Sequence, residues 1–217
     1  MVKDWLLQIT YIESVDSTQT YLKQLLREKK QKVPFAVVAK RQTAGVGSRD
    51  NSWDSLDGNL FLSFAINLKE LPKDLKLESA SIYFAYILKE TLSELNSKVW
   101  LKWPNDFYID SEKIGGMITN ILGDSLVCGV GLNLVRQPDG FGSLDIKVDR
   151  DSLLQMYFQK IEKKVLWKQV FSKYQLEFDK NKHFFTHNKN LRISLEDVTL
   201  QEDGSIIHKN ERIYSLR

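Results

Sequence analysis

Apolar positions along this chain recur with two periods, and the changes between them mark out its elements. Tyr21, Leu22, Leu25 and Leu26 share one helical face directly after Asp16, Ser17, Thr18 and Gln19, so a helix starts where short polar side chains can cap its free amides. Residues 35–39 and 60–66 are apolar runs and read as buried strands. Between them the polar, glycine-bearing stretch 40–58 is too long for a tight hairpin and is expected to be a functional loop. Residues 79–95, with Ile82, Tyr83, Tyr86, Ile87 and Leu92, predict a long amphipathic helix. Four further strands, at 99–101, 107–109, 114–121 and 126–134, are separated by Asp110-Ser111-Glu112 and Gly123-Asp124-Ser125, as hairpins require. A helical period returns at Leu153, Leu154, Met156, Tyr157 and Ile161 and again over 167–178, giving two helices to cover the sheet. Beyond residue 191, short strands at 191–195, 198–200, 205–208 and 212–216 surround an Asp203-Gly204 turn. Strands and helices mixed without regular βαβ alternation predict an α+β fold, with a main domain over residues 1–185 and a small β domain over 186–217.

Composition narrows the class of protein. At 217 residues with 42% hydrophobic and 27% charged side chains, the chain can bury one sizeable core, which excludes disordered and fibrous classes. The apolar runs are far shorter than the roughly 20 residues that span a bilayer, and the N-terminus lacks a secretory h-region, so a cytoplasmic location with no membrane partner is expected. The net charge of +3 comes from scattered lysines, which is no footprint for nucleic acid. Cys128 is the only cysteine, so the chain forms no internal disulfide and no thiolate-rich metal site. Leu126, Val127 and Val130 around it suggest a small buried hydrophobe. Both a monomer and a homodimer remain open.

Four blocks carry the candidate chemistry. They are Asp16-Ser17-Thr18-Gln19, Gln42-Thr43-Ala44-Gly45-Val46-Gly47-Ser48-Arg49, Lys102-Trp103-Pro104-Asn105-Asp106 followed by Lys113-Ile114-Gly115-Gly116, and Gly129-Val130-Gly131-Leu132-Asn133. Each has a plain alternative. Ser17 and Thr18 can serve only as helix caps, the glycine run as an ordinary loop, Lys113 as an exposed hairpin lysine, Asn105-Asp106 as a turn, residues 129–133 as a packed strand and Trp53 as a core anchor. Against those readings, glycine in a strand interior marks close approach by a ligand or another backbone, and Gly45 and Gly47 allow amides to approach an anion without a Cβ in the way. In this order the blocks resemble the biotin protein ligases over about residues 10–180, most specifically in Lys102 to Asp106 with Lys113-Ile-Gly-Gly.

The resemblance implies a mixed, largely antiparallel sheet flanked by helices, with a small C-terminal β-barrel. It implies an enzyme that joins biotin to ATP as biotinyl-5′-adenylate and transfers it to a lysine of a biotin carboxyl carrier protein, the acceptor in acetyl-CoA carboxylase. On the biotin side it places Ser17, Thr18, Gln19, Gln42, Gly45, Val46, Gly47 and Ser48, with Gly115, Gly116, Gly129 and Gly131 clearing space for the ring. Lys113 is expected to bridge the biotin carboxylate and the α-phosphate, and Arg49 to meet phosphate while Trp53 seals the loop. Lys102, Asn105, Asp106 and Asn133 are expected on the ATP side, with Asp106 holding Mg2+ directly or through water.

Three departures from the family pattern stand out. The family loop reads Gly-Arg-Gly-Arg, whereas Val46 and Ser48 occupy the arginine positions and Arg49 is the nearby guanidinium. Gln19 stands where the family has Asn, and the C-terminal segment is short. About fifteen residues precede Asp16, too few for the DNA-binding winged helix of some members, so the ligase-only class is expected. Two rival readings are a lipoyl or octanoyl transferase of the same fold, with Cys128 as acyl acceptor, and a catalytically silent biotin-binding regulator. An apolar setting raises a thiol pKa, which weighs against the first.

Overall fold

Alternation of side chains across two covered faces decides where each apolar run goes. The computed structural model describes residues 7–47, 52–53, 55–135, 137–188 and 191–215. In chain order, β1 (Gln8–Val15) leads to α1 (Thr18–Arg27) and β2 (Phe35–Gln42), then to a short pair, β3 (Gly45–Val46) and β4 (Ser52–Trp53), and to β5 (Leu60–Asn67). Next come α2 (Ala80–Glu94), β6 (Trp100–Lys102), β7 (Asp106–Ile109), β8 (Glu112–Leu122) and β9 (Ser125–Leu132), followed by α3 (Arg150–Glu162) and α4 (Trp167–Glu177). The C-terminal segment adds β10 (Phe185–Asn188), β11 (Leu191–Ser194), β12 (Thr199–Leu200), β13 (Ile206–His208) and β14 (Glu211–Ile213).

Seven strands form one sheet in the order β1-β2-β5-β9-β8-β7-β6. Only β1 and β2 run parallel, joined through α1, and every other neighbour is antiparallel. On one face Leu22 of α1 packs with Phe35, Val37, Ala65 and Val127. On the other, Ala36, Val38, Leu62, Phe64, Cys128 and Val130 meet α2, α3 and α4. Consecutive residues of β2 thus point to different partners, and because both faces are covered the strand reads as continuous apolar sequence. Helix α2 lies between the sheet and the outer helices and buries 11 of its 15 residues, which is why its apolar surface extends beyond a single stripe.

Sequence and structure agree on most elements, with β1, β10 and the short β3–β4 pair unforeseen. β1 lies at the sheet edge and mixes exposed with half-buried positions, so no apolar run announces it. β10 pairs with β11 as a hairpin, and β12, β13 and β14 form a separate three-stranded sheet. Ile193, Ile206 and Ile213 from these small antiparallel sheets, with Leu195 just after β11, join the main core. No described helix is long and apolar enough to cross a membrane.

Candidate active site

A cavity of about 300 Å3 opens on the face of the sheet that α1 covers, just beyond the N-terminus of that helix. Its floor follows from strand register. Directly opposed residues share a face, and one row across the sheet runs Lys102, Asp106, Gly116, Gly131 and Phe61 on β6, β7, β8, β9 and β5. The next row on that face is Ser63, Gly129 and Ile118, and the one after it, Ala65, Val127 and Asn120, lies toward α1. Two glycines in the first row and one in the second add no side chains of their own to the floor, and the Trp53 indole and the Gln19 carboxamide lie over Gly131 and Gly129.

Strand parity alone would point Lys113 away from this floor. Between Phe107 and Tyr108 the register shifts, so that Gly115 faces Phe107 while Lys113 faces Tyr108, leaving Ile114 as an extra residue on β8. A bulge of this kind re-aims the side chains beyond it. Lys113 thereby joins the face of Asp106, and its Nζ lies 2.7 Å from Asp106 Oδ1. Lys102 Nζ is 3.5 Å from Asp106 Oδ2 and 5.7 Å above the ring of Tyr108. Two ammoniums against one carboxylate leave this wall cationic and suited to an anion.

The turn that carries Asn105 and Asp106 is held from behind. Trp103 is fully buried, its backbone N–H donates to Asn181 Oδ1 at 2.7 Å, and its indole N–H donates to the Gly204 carbonyl at 2.8 Å. Asn105 is pinned to β8, its side-chain amide donating to the Met117 carbonyl while its own carbonyl accepts from the Met117 amide at 2.9 Å. The Trp103-Pro104 peptide is cis.

Polar groups line the opposite side. Ser17 caps α1 through a long 3.4 Å contact from the Thr20 amide. Thr18 bonds Ser63 Oγ at 2.9 Å, and both its amide and its hydroxyl donate to Gln42 Oε1, at 2.8 and 3.0 Å. Ser17, Thr18 and Gln19 are all buried. Val46, Gly47 and Trp53 form the rim from the β3–β4 pair, with Phe141 set edge-on to Trp53 at 6.3 Å. The Trp53 indole rests on Gly131, where an added Cβ would come within 2.5 Å of its Cε2, and its buried N–H has no partner among the described residues.

Of the expected site residues, Ser17, Thr18, Gln19, Gln42, Val46, Gly47, Trp53, Asn105, Asp106, Lys113, Gly116, Gly129 and Gly131 come together around this cavity. Four stand behind its wall. Gly45 is packed so that a Cβ would meet the Trp53 carbonyl at 2.5 Å, and at Gly115 it would meet the Gly131 carbonyl at 2.6 Å, so these glycines admit neighbouring backbone and not a ligand. Lys102 reaches the site through Asp106. Asn133 is fully buried, donating to the Gly142 carbonyl at 3.0 Å and accepting from Asn59 at 3.2 Å, a clasp between loops. Ser48 and Arg49 lie outside the described residues.

Sequence reading missed Ser52, Ser63, Met117, Ile118, Val130 and Phe141 on the wall. Ser63 alone carried a signal, as the one polar side chain in the apolar run 60–66. Cys128 is fully buried among Phe64 and the helices of the opposite face, and burial raises its thiol pKa well above the ordinary range.

Among the described residues no three carboxylate, imidazole or thiol groups gather into a metal cage. Asp106 is the only carboxylate on the described cavity wall, and both its oxygens face lysines. That donor set fits a Mg2+ that arrives on a nucleotide's phosphates and does not fit a resident, protein-caged ion.

Comparison with known proteins points the same way. The model of the Biotin/lipoate A/B protein ligase family matches residues 11–133. The chain is 39% identical, with a TM-score of 0.92, to biotin acetyl coenzyme A carboxylase synthetase from Helicobacter pylori, crystallised with bound biotinylated ATP, and the match covers 96% of this chain and 100% of that one. It is 29% identical over 170 residues to the bifunctional ligase/repressor BirA of Escherichia coli, covering 70% of this chain and 52% of that protein, so it spans about half the length of that relative. Biotin protein ligase from Aquifex aeolicus, at 24% identity and a TM-score of 0.75 over 97% of this chain and 96% of that one, shares the fold.

Proposed function

The chain belongs to the Biotin/lipoate A/B protein ligase family, and on that footing we propose that it is a biotin protein ligase. It joins biotin and ATP as biotinyl-5′-AMP with release of pyrophosphate, then passes the biotinyl group to one lysine of a biotin carboxyl carrier protein of acetyl-CoA carboxylase. The observation that carries this reading is the bulge at Ile114, which brings the Lys113 ammonium to the cationic end of a glycine-paved cavity. Supply of ATP makes the cytoplasm its place of work.

The geometry divides the labour. The vitamin's fused ring lies over the Ser63, Gly129 and Ile118 row, with the Ser17 hydroxyl at the ureido carbonyl, joined by the Thr18 hydroxyl as it turns from Gln42, and its acid chain runs toward Gly116. Lys113 then exchanges Asp106 for the incoming carboxylate and stands between it and the α-phosphate, offsetting the repulsion of two anions. A carboxylate oxygen attacks the α-phosphorus, the bond to the β-phosphate oxygen breaks, and pyrophosphate departs. Asn105 and Asp106 face the nucleotide, and Asp106 would hold, directly or through water, a Mg2+ that would supply charge neutralisation for the phosphates. Trp53 covers the mixed anhydride and excludes water. In the second step the carrier's neutral amine attacks the acyl carbon, the bond to AMP breaks, and the amine loses a proton to water.

Biotin-dependent exchange of label between pyrophosphate and ATP tests the first step, run beside lipoate and octanoate. Exchange with biotin is expected. Exchange with lipoate or octanoate alone would overturn the reading. Mass spectrometry of a carrier domain incubated with enzyme, biotin and ATP tests the transfer.

A further inference from the structure

One side-chain cluster beyond the cavity has a direction built into it. Lys23 Nζ lies 2.6 Å from Asn120 Oδ1, and Gln19 Nε2 lies 3.0 Å from the same oxygen. Gln19 and Lys23 stand one turn apart on α1, and Asn120 belongs to the row of β8 next to the Ile118 and Gly129 row on the cavity floor. Gln19 is buried and roofs Gly129, where an added Cβ would approach its Cδ to 3.3 Å.

Chemistry fixes which way each amide points. An ammonium donates and does not accept, so the Asn120 atom against Lys23 has to be the oxygen. That oxygen also meets Gln19, so the Gln19 atom facing it has to be the donor, Nε2. The Gln19 carbonyl oxygen is left as the free end, with no hydrogen-bond partner among the described residues, on a side chain that lines the cavity. Without the lysine, both amides could turn over at little cost, and the cavity would then face a donor half the time.

We propose that Lys23 and Asn120 are positioning residues that hold the Gln19 carbonyl oxygen toward the ligand, where it accepts a hydrogen bond from a ureido N–H. This rests on the biotin reading above. The longer glutamine side chain serves the purpose here, because it spans from α1 across Gly129 to Asn120 while keeping its carboxamide at the ring end of the cavity. A ring without an N–H, such as a dithiolane, leaves that oxygen buried and unpaired, so the relay also selects between cyclic acids.

Steady-state pyrophosphate exchange by Lys23→Met and Asn120→Leu tests it, with biotin and with biotin methylated on the ureido nitrogens as substrates. We expect the KM for biotin to rise about tenfold in each variant, as loss of one oriented hydrogen bond gives, with kcat within about twofold. The preference of the wild type for biotin over the methylated analogue shrinks in parallel. Asn120→Asp, which still accepts from both donors, gives back most of what Asn120→Leu loses. An unchanged KM in Asn120→Leu, whose position is exposed and whose folding is not at stake, or a loss confined to kcat, overturns the inference. Wild-type enzyme lacking biotin-dependent exchange would overturn the functional reading itself, whereas active wild type with unaffected variants overturns only the relay.

Discussion

Lys113 and Asp106 meet at 2.7 Å only because β8 carries one residue more than β7 between Gly115 and Lys113. The extra residue, Ile114, is fully buried in the core, which locks the bulge in place. The ion pair holds the Lys113 ammonium on the cavity wall, at a position only about a quarter exposed.

Lys113→Ala should therefore lower adenylate formation by at least about a hundredfold, the scale seen when one charge-stabilising donor is removed from an active site. Pyrophosphate exchange measures the loss. The melting temperature should shift little, because Lys102 still neutralises Asp106. Near-normal turnover would remove Lys113 from the reaction.

Two glycines in adjacent strands should respond differently to the same added methyl. At Gly115 a Cβ collides with the Gly131 carbonyl, a backbone atom that cannot step aside. Gly115→Ala should destabilise the fold by about 1–3 kcal/mol, lowering the melting temperature by roughly 2–4 °C for each of them. At Gly131 the obstacle is the Trp53 indole, so Gly131→Ala should displace that ring and change tryptophan emission and ligand KM with a smaller loss of stability. Equal melting temperatures for the two variants would contradict the distinction.

Burial keeps the Cys128 thiol protonated, and a protonated thiol is a poor nucleophile. Native protein should resist alkylation by iodoacetamide at pH 8 and react stoichiometrically once unfolded, as read by mass spectrometry. Cys128→Ala should retain adenylate formation. An acyl thioester trapped on Cys128 would instead support the transferase reading.

Most of this architecture was legible because it rests on apolar runs bounded by turn residues. The strands around Leu62, Cys128 and Ile118 and the helix after Ser17 announce themselves, and the four motif blocks locate the cavity. What the sequence could not disclose depends on register. Nothing in Lys113-Ile114-Gly115-Gly116 says that one residue is skipped in pairing, so the aim of Lys113 is readable only from the sheet. The same holds for Gly115 and Gly116, neighbours of one residue type, of which one admits the Gly131 carbonyl and the other borders Asp106. Asn133 looked like a ligand contact because it follows Gly129-Val130-Gly131, yet the chain leaves the sheet after Leu132 and turns its amide inward to Gly142.

Trp103→Phe removes the indole donor and leaves the Gly204 carbonyl without that bond. A buried acceptor stranded in this way costs about 1–3 kcal/mol, and a fall in melting temperature of roughly 2–4 °C per kcal/mol should follow. Scanning calorimetry reads it, and an unchanged transition would show that this bond contributes nothing.

Beside that turn, burial pushes the Asp203 carboxyl up, but hydrogen bonds from Ser205 and the charges of Arg212 and Lys76 outweigh it and hold the pKa below the usual carboxylate value. A carboxyl depressed in the folded state contributes stability above its unfolded pKa of about 3.9 and loses it as pH falls through the folded value. Asp203→Asn should flatten the dependence of melting temperature on pH below about 4, and an unaltered acid slope would remove Asp203 from that role.

The Asn181 and Gly204 contacts behind Trp103 also set an order on biosynthesis. A nascent chain that has emerged only as far as β9 already owns every floor residue of the cavity, yet the turn bearing Asn105 and Asp106 still lacks its backing. The wall that bears Asn105 and Asp106 is therefore completed after the floor, once residues 181 and 204 have been made and dock behind Trp103.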